Sequence, residues 1–223
     1  MKKKNQKKLG IAICMLIAFV MWTAAVRLID VQAIGPQASS VGLATINRFV
    51  HTLTGVHMSL YTITDWLGLV PIGVALGFAI LGLVQWIRRK HLTKVDRSIL
   101  VLGGFYLAVM AAYLFFENFV VNYRPILIDG CLEASYPSST TMLVLCVMPT
   151  AAMQLRVRIK NTVLRCWVSF AIAAFVIFMV TGRLLSGVHW ASDIIGGILL
   201  SAGLVSAYRS LSGLSMCGRG DIP

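Results

Sequence analysis

The chain has 223 residues, of which 58% are hydrophobic and 13% charged, a composition too apolar for an ordinary soluble domain and suited to a polytopic membrane protein. Its formal net charge of +12 does not point to nucleic acid, because the basic residues gather at the ends of apolar runs rather than on one face between aromatics. The five cysteines make no framework: Cys14, Cys146 and Cys166 fall in apolar runs, Cys217 in the tail, and Cys131 alone in a polar loop. No disulfide, no metal and no other cofactor is expected, and no linker or repeat divides residues 1–223, which read as one domain.

MKKKNQKK precedes an apolar run from Leu9 to Val26. The run is long for the core of a signal peptide and reads as a retained first helix. Residues 34–65, with His51, His57 and Tyr61 among threonines, glycines and aliphatics, predict an external interfacial segment made of an amphipathic helix and a loop. A second span, Trp66 to Ile87, ends in the basic loop RRKHLTKVDR. The third, Ile99 to Val121, leads into the polar NYRPILIDGCLEASYPSS. The fourth runs from near Tyr136 to Leu155, the fifth from Cys166 to Val180, and the sixth from about Val188 to Tyr208. The fold expected is all-α, a bundle of six transmembrane helices of about 20 residues each.

Both termini are expected in the cytoplasm. Of the 20 Lys and Arg residues, only Arg27, Arg48, Arg124 and Arg183 then face out, which is the asymmetry of the positive-inside rule. The same placement puts Arg124 and Arg183 in external connections that carry the other unusual polar residues.

In the stretch TGRLLSGVHWASDIIGG, Arg183, His189 and Asp193 stand at the rim of a membrane-type segment, where ionisable groups are costly and call for a function. His189 and Asp193 are four apart and share a face if a helix begins near His189. The carboxylate can then fix the imidazole tautomer and make the other ring nitrogen a nucleophile. Arg183 carries the planar group suited to a phosphoryl oxyanion. YPSSTT and HWASD each open a span, so Ser138, Ser139, Ser192 and Asp193 lie where unpaired N–H groups and the helix dipole favour an anion. Serine capping is the plain alternative for Ser138.

With those residues in view, the sequence resembles the type 2 phosphatidic acid phosphatase superfamily, whose motifs are KxxxxxxRP, PSGH and SRxxxxxHxxxD. The matching stretches are ENFVVNYRP, PSST and GRLLSGVHWASD, spanning residues 117–193, and the third is the most specific. The resemblance implies that His189 is a nucleophile forming a phosphohistidine, that Asp193 orients it, that Arg124 and Arg183 clamp phosphate, and that Ser138 and Ser139 belong to a phosphate cradle.

Two positions depart from the motifs. Glu117 stands where the family has lysine, and Thr140 where it has the histidine that protonates the leaving oxygen; Gly182 for serine and Ser139 for glycine are milder changes. Glu117 is two turns before Arg124 and is expected to face the same pocket, in an ion pair with Arg124 or Arg183, or else protonated and donating to the ligand. Thr140 has no accessible acid proton, a loss worth about 10²–10⁴ in rate. His51 and His57 are the other external histidines able to supply one.

The function expected is a metal-independent lipid phosphate or diphosphate phosphohydrolase of the plasma membrane, with its site on the external side and its activity attenuated by Thr140 and Glu117. Its partners are lipid phosphate and membrane lipid, not nucleic acid. Substrate classes implied by the resemblance are phosphatidic acid, phosphatidylglycerol phosphate and polyprenyl carriers such as undecaprenyl diphosphate. The alternatives are a weak or inactive lipid-phosphate binder and an anionic-lipid flippase.

Overall fold

A computed structural model describes residues 2–213. Its helices are α1 (Lys2–Leu28), α2 (Ala44–Thr54), α3 (Met58–Leu67), α4 (Leu69–Arg89), α5 (Arg97–Asn118), α6 (Ser139–Arg158), α7 (Thr162–Leu185) and α8 (Ala191–Ser212). Among the described residues, six candidate spans are long and apolar enough to cross a bilayer: Gln6–Leu28, Met58–Arg89, Arg97–Asn118, Ser139–Arg158, Thr162–Leu185 and Ala191–Ser212. The protein is thus an all-helical, multi-pass membrane protein, as the hydropathy predicts. Helices dominate because the hydrocarbon offers no partner for an unpaired backbone group.

Four boundaries move. The second span begins at Met58 rather than Trp66, because α3 and α4 meet at Gly68 in a helical conformation (φ −60°, ψ −19°). Residues 58–65 therefore belong to that span and not to an interfacial loop. Their hydroxyls are absorbed locally, Thr62 donating to the Met58 carbonyl (3.0 Å) and Thr64 to that of Leu60 (2.9 Å). The third span ends at Asn118, not Val121. The fifth continues to Leu185, so Arg183 is in the last turn of a helix rather than in a loop. The sixth begins at Ala191, leaving His189 just ahead of it. Cys217 and Arg219 lie outside the described residues.

Helix α8 packs against α1, α5 and α6 along its sides and α2 near its start, while α3 joins the bundle through α7 and α4 through α5 and α6. Inside a bilayer, helices associate by close packing rather than by escape from water, which selects small residues at the contacts. A Cβ added at Gly203 would meet Leu16 at 2.7 Å, and one at Gly196 would meet the Tyr136 ring at 2.6 Å. At the junction of α3 with α7 the same closeness holds, since a Cβ on Gly182 would lie 2.8 Å from the Thr64 methyl.

The connections 29–57, 119–138 and 186–190 lie at one end of the bundle and are laced together. His57 N–H donates to the Ser186 carbonyl (3.0 Å), Trp190 Nε1 to the Tyr123 carbonyl (2.8 Å), and Trp22 Nε1 to the Ser192 carbonyl (3.0 Å). The middle connection doubles back on itself through bridges Tyr123 to Ala134 and Ile128 to Cys131, turning at Asp129 and Gly130, both with positive φ. Asp-Gly is the dipeptide that such a hairpin turn requires.

Candidate active site

The α7–α8 connection places His189. Gly187 has φ +70°, and a Cβ there would come within 2.0 Å of the Gly55 carbonyl oxygen, so the backbone crosses the end of α2 where a side chain could not. His51 Nε2 lies 3.1 Å from the Gly187 oxygen and its ring packs 5.3 Å from that of Trp190. Two residues on, the His189 imidazole is buried (2% exposed), and neither ring nitrogen has a hydrogen-bond partner.

Asp193 is fixed more completely. Its Oδ2 accepts the Trp190 N–H (3.0 Å), and its Oδ1 accepts from Asn122 Nδ2 and Ser192 Oγ, both at 3.3 Å. Oδ2 stands 3.8 Å from His189 Nδ1, too long for a hydrogen bond, although such contacts commonly tighten only once substrate is bound. His189 and Asp193 thus stand side by side across the start of α8, not on its face, with no hydrogen bond between them.

The two arginines meet at Tyr61. The ring centroid lies 5.0 Å from Arg183 Cζ and 6.0 Å from Arg124 Cζ. Arg183, in the last turn of α7, is 2% exposed; its Nη1 is 3.5 Å from Thr64 Oγ1 and 3.6 Å from Asp65 Oδ1, while its Nε has no partner. Arg124 is held by its own N–H to the Glu133 carbonyl (3.0 Å). Its Nε approaches Glu133 Oε2 at 3.0 Å without the alignment of a hydrogen bond, and its Nη1 is unpartnered. Buried donors left without acceptors are costly.

The ion pair expected for Glu117 does not form. Glu133 takes Arg124 and Asp65 takes Arg183, while Glu117, exposed at the end of α5, lines a small cleft together with Ser139, Tyr136 and His189. The reason is reach: Glu133 lies directly across the hairpin from Arg124.

The two helix starts are less open to an anion than the sequence suggests. Ser138 is the α6 cap: its Oγ accepts from Thr141 N–H (3.5 Å) and its own N–H is spent on the Asp193 carbonyl (3.1 Å). Capping, the plain alternative, describes Ser138. At α8 the Ser192 N–H goes to Asn47 Oδ1 (3.1 Å), a buried α2 side chain. Ser139 lines the cleft, and the Thr140 methyl faces Gly68.

Burial drives the imidazole of His189 down to about 4, against the pull of Asp193, and the nearby charges of Arg124 and Arg183 lower it further. The ring is neutral at pH 7, the form with a nucleophilic lone pair. Among the described residues no group of three or more His, Cys, Asp or Glu stands close enough to hold a metal ion.

Tyr61, Asn122, Asn47, Asp65 and Glu133 contact these side chains; the sequence marks Tyr61 only as part of an interfacial segment and gives the others no role. Asn122 had a usable signal, standing two before Arg124; Tyr61 and Asp65 had none, because their roles depend on α3 docking against the end of α7.

No curated protein matches this sequence. The fold is similar to a solved structure described as the first transmembrane PAP2 type phosphatidylglycerolphosphate phosphatase from Bacillus subtilis, 20% identical, with a TM-score of 0.50 over 90% of this chain and 94% of that one. The sequence profile of the PAP2 superfamily matches residues 104–215, a range that contains Arg124, Arg183, His189 and Asp193, and the chain belongs to that superfamily.

Proposed function

We propose that the protein is a lipid phosphate phosphohydrolase working through a phosphohistidine on His189. The observation that carries this reading is a buried, neutral imidazole with both ring nitrogens free, between a fixed carboxylate and two guanidiniums that keep unpartnered N–H groups. Asp193 orients Nδ1, so Nε2 attacks phosphorus; Arg124 and Arg183 take the charge that develops on the phosphoryl oxygens. Two guanidiniums supply that charge, so the step calls for no metal. Tyr61 holds the two together despite their repulsion.

The unit of function is residues 1–223, with the end of the bundle that carries the site facing the exterior of the plasma membrane, as the distribution of cations supports. The head group enters there while the tail stays between helices. The solved relative's phosphatidylglycerol phosphate belongs on the substrate panel beside phosphatidic acid and undecaprenyl diphosphate. Phosphate release from that panel in detergent, abolished by His189→Ala, is the expected result; release that survives the substitution overturns the reading. Thr140 favours one other reading, a lipid-phosphate binder without turnover, which predicts tight lipid binding and no release from any member of the panel.

A further inference from the structure

A phosphoester with an alkyl leaving group needs a proton on its departing oxygen, and the residue that the motif would use for this is Thr140, whose hydroxyl cannot supply one near neutral pH. The structure narrows where else that proton can come from. His57 Nε2 is engaged with the Thr54 carbonyl (2.9 Å) and His51 Nε2 with that of Gly187 (3.1 Å). Each has that nitrogen engaged with backbone, and neither lines the cleft that His189 lines. Tyr136 lines that cleft, but its hydroxyl is bonded to Thr23 Oγ1 (2.7 Å) and burial pushes the phenol up. Asp65 and Glu133 are tied to Arg183 and Arg124, and Asp193 is spoken for by three donors.

Glu117 is different on each count. Among the described residues lining the cleft with His189 it is the carboxyl group. It is exposed, and among the described residues it has no ion-pair partner.

Resting on the phosphatase reading above, we infer that Glu117 is the proton donor to the leaving oxygen, so that the two departures from the motifs compensate one another: the acid lost at Thr140 is restored from α5. In the first step the Nε2 lone pair of His189 forms the N–P bond as the P–O ester bond breaks. The bonding pair goes to the lipid oxygen, which takes the Glu117 proton and leaves as an alcohol. In the second, the Glu117 carboxylate takes a proton from water as its oxygen attacks phosphorus. The N–P pair returns to His189, and inorganic phosphate departs with Glu117 protonated again.

The test compares two substrates on the full-length protein in detergent: phosphatidic acid, whose alkoxide leaves poorly, and p-nitrophenyl phosphate, whose phenolate needs no proton. Glu117→Gln is expected to slow phosphatidic acid turnover by roughly 10²–10⁴-fold and to slow steady-state p-nitrophenyl phosphate turnover through the shared second step, while leaving the rate of the first-turnover burst of p-nitrophenolate within a few-fold. Adding Thr140→His to that variant is expected to restore part of the lost rate. Equal slowing of the p-nitrophenolate burst and of phosphatidic acid turnover, or an unchanged rate on phosphatidic acid, overturns the assignment of Glu117 alone. A parent protein that turns over neither substrate overturns the phosphatase reading, and this assignment falls with it.

Discussion

Nδ1 of His189 and Oδ2 of Asp193 face one another across 3.8 Å, with the carboxylate immobilised and the imidazole free. Trp190 N–H, Asn122 and Ser192 hold Asp193 in place, so on the phosphatase reading the histidine is the partner free to close the gap. Asp193→Asn keeps the shape and removes the charge that selects the tautomer. The expected outcome is a fall in kcat of roughly 10²–10⁴-fold with a much smaller change in KM, read from steady-state phosphate release.

Asn122 serves the site through that same carboxylate. It donates to Asp193 Oδ1 and Ser192 Oγ, and its Oδ1 accepts the Gly42 N–H at 3.2 Å. Asn122→Ala strands these buried groups and is expected to lower stability by about 1–3 kcal/mol, seen as an earlier melting transition in detergent; an unaltered transition means that the contacts carry no weight.

Acidity acts on His189 in a defined direction. Burial sets its folded value at about 4 against 6.5 unperturbed, so between those values the unfolded chain binds the proton and the folded one does not. Stability contributed by this residue is complete above 6.5 and declines as pH falls toward about 4. Melts across that window are expected to show a shallower slope in His189→Gln. The acid limb of kcat/KM is likewise expected well below the usual imidazole range, because the attacking form is the neutral ring.

Tyr61 lies within 6.0 Å of both guanidinium carbons, which makes its ring the element that lets two like charges share one space. Tyr61→Leu removes a term worth about 0.5–2 kcal/mol, so KM for lipid phosphate is expected to rise roughly 2- to 30-fold. Tyr61→Phe, which keeps the ring, is expected to stay close to the parent; if both variants behave alike, the ring face is not what matters.

These residues also mark where sequence reading succeeds and where it stops. The six spans are legible because hydropathy over a span's length is a local pattern, whereas Arg124, Arg183, His189 and Asp193 are drawn together in the sequence by their outward placement and by the three motifs that resemble a known family, since the spacing of His189 and Asp193 is weak evidence alone. The pairing of Arg124 with Glu133 and of Arg183 with Asp65 is not legible, because it is set by the hairpin's register and by the docking of α3 on α7. Glu117 was read as a candidate ion pair for the same reason: seven residues from Arg124 is two turns of a helix, but α5 ends at Asn118 and the chain changes direction before Arg124. Residues 58–65 failed as a loop because threonines look polar in composition, whereas inside a helix their hydroxyls return to the preceding turn.

The orientation of the bundle is open to a direct chemical check. Cys131 is exposed and sits beside the Asp129–Gly130 turn, at the end of the bundle that carries the site. If that end faces the exterior, a membrane-impermeant maleimide added to intact cells reaches Cys131, and Cys131→Ser abolishes the labelling. Cys14 and Cys166 are exposed too and lie in candidate spans α1 and α7, so the labelling is read in a protein in which both are replaced by serine. Labelling that appears only after the cells are opened places the site in the cytoplasm and inverts the topology, and with it the leaflet from which the lipid substrate is drawn.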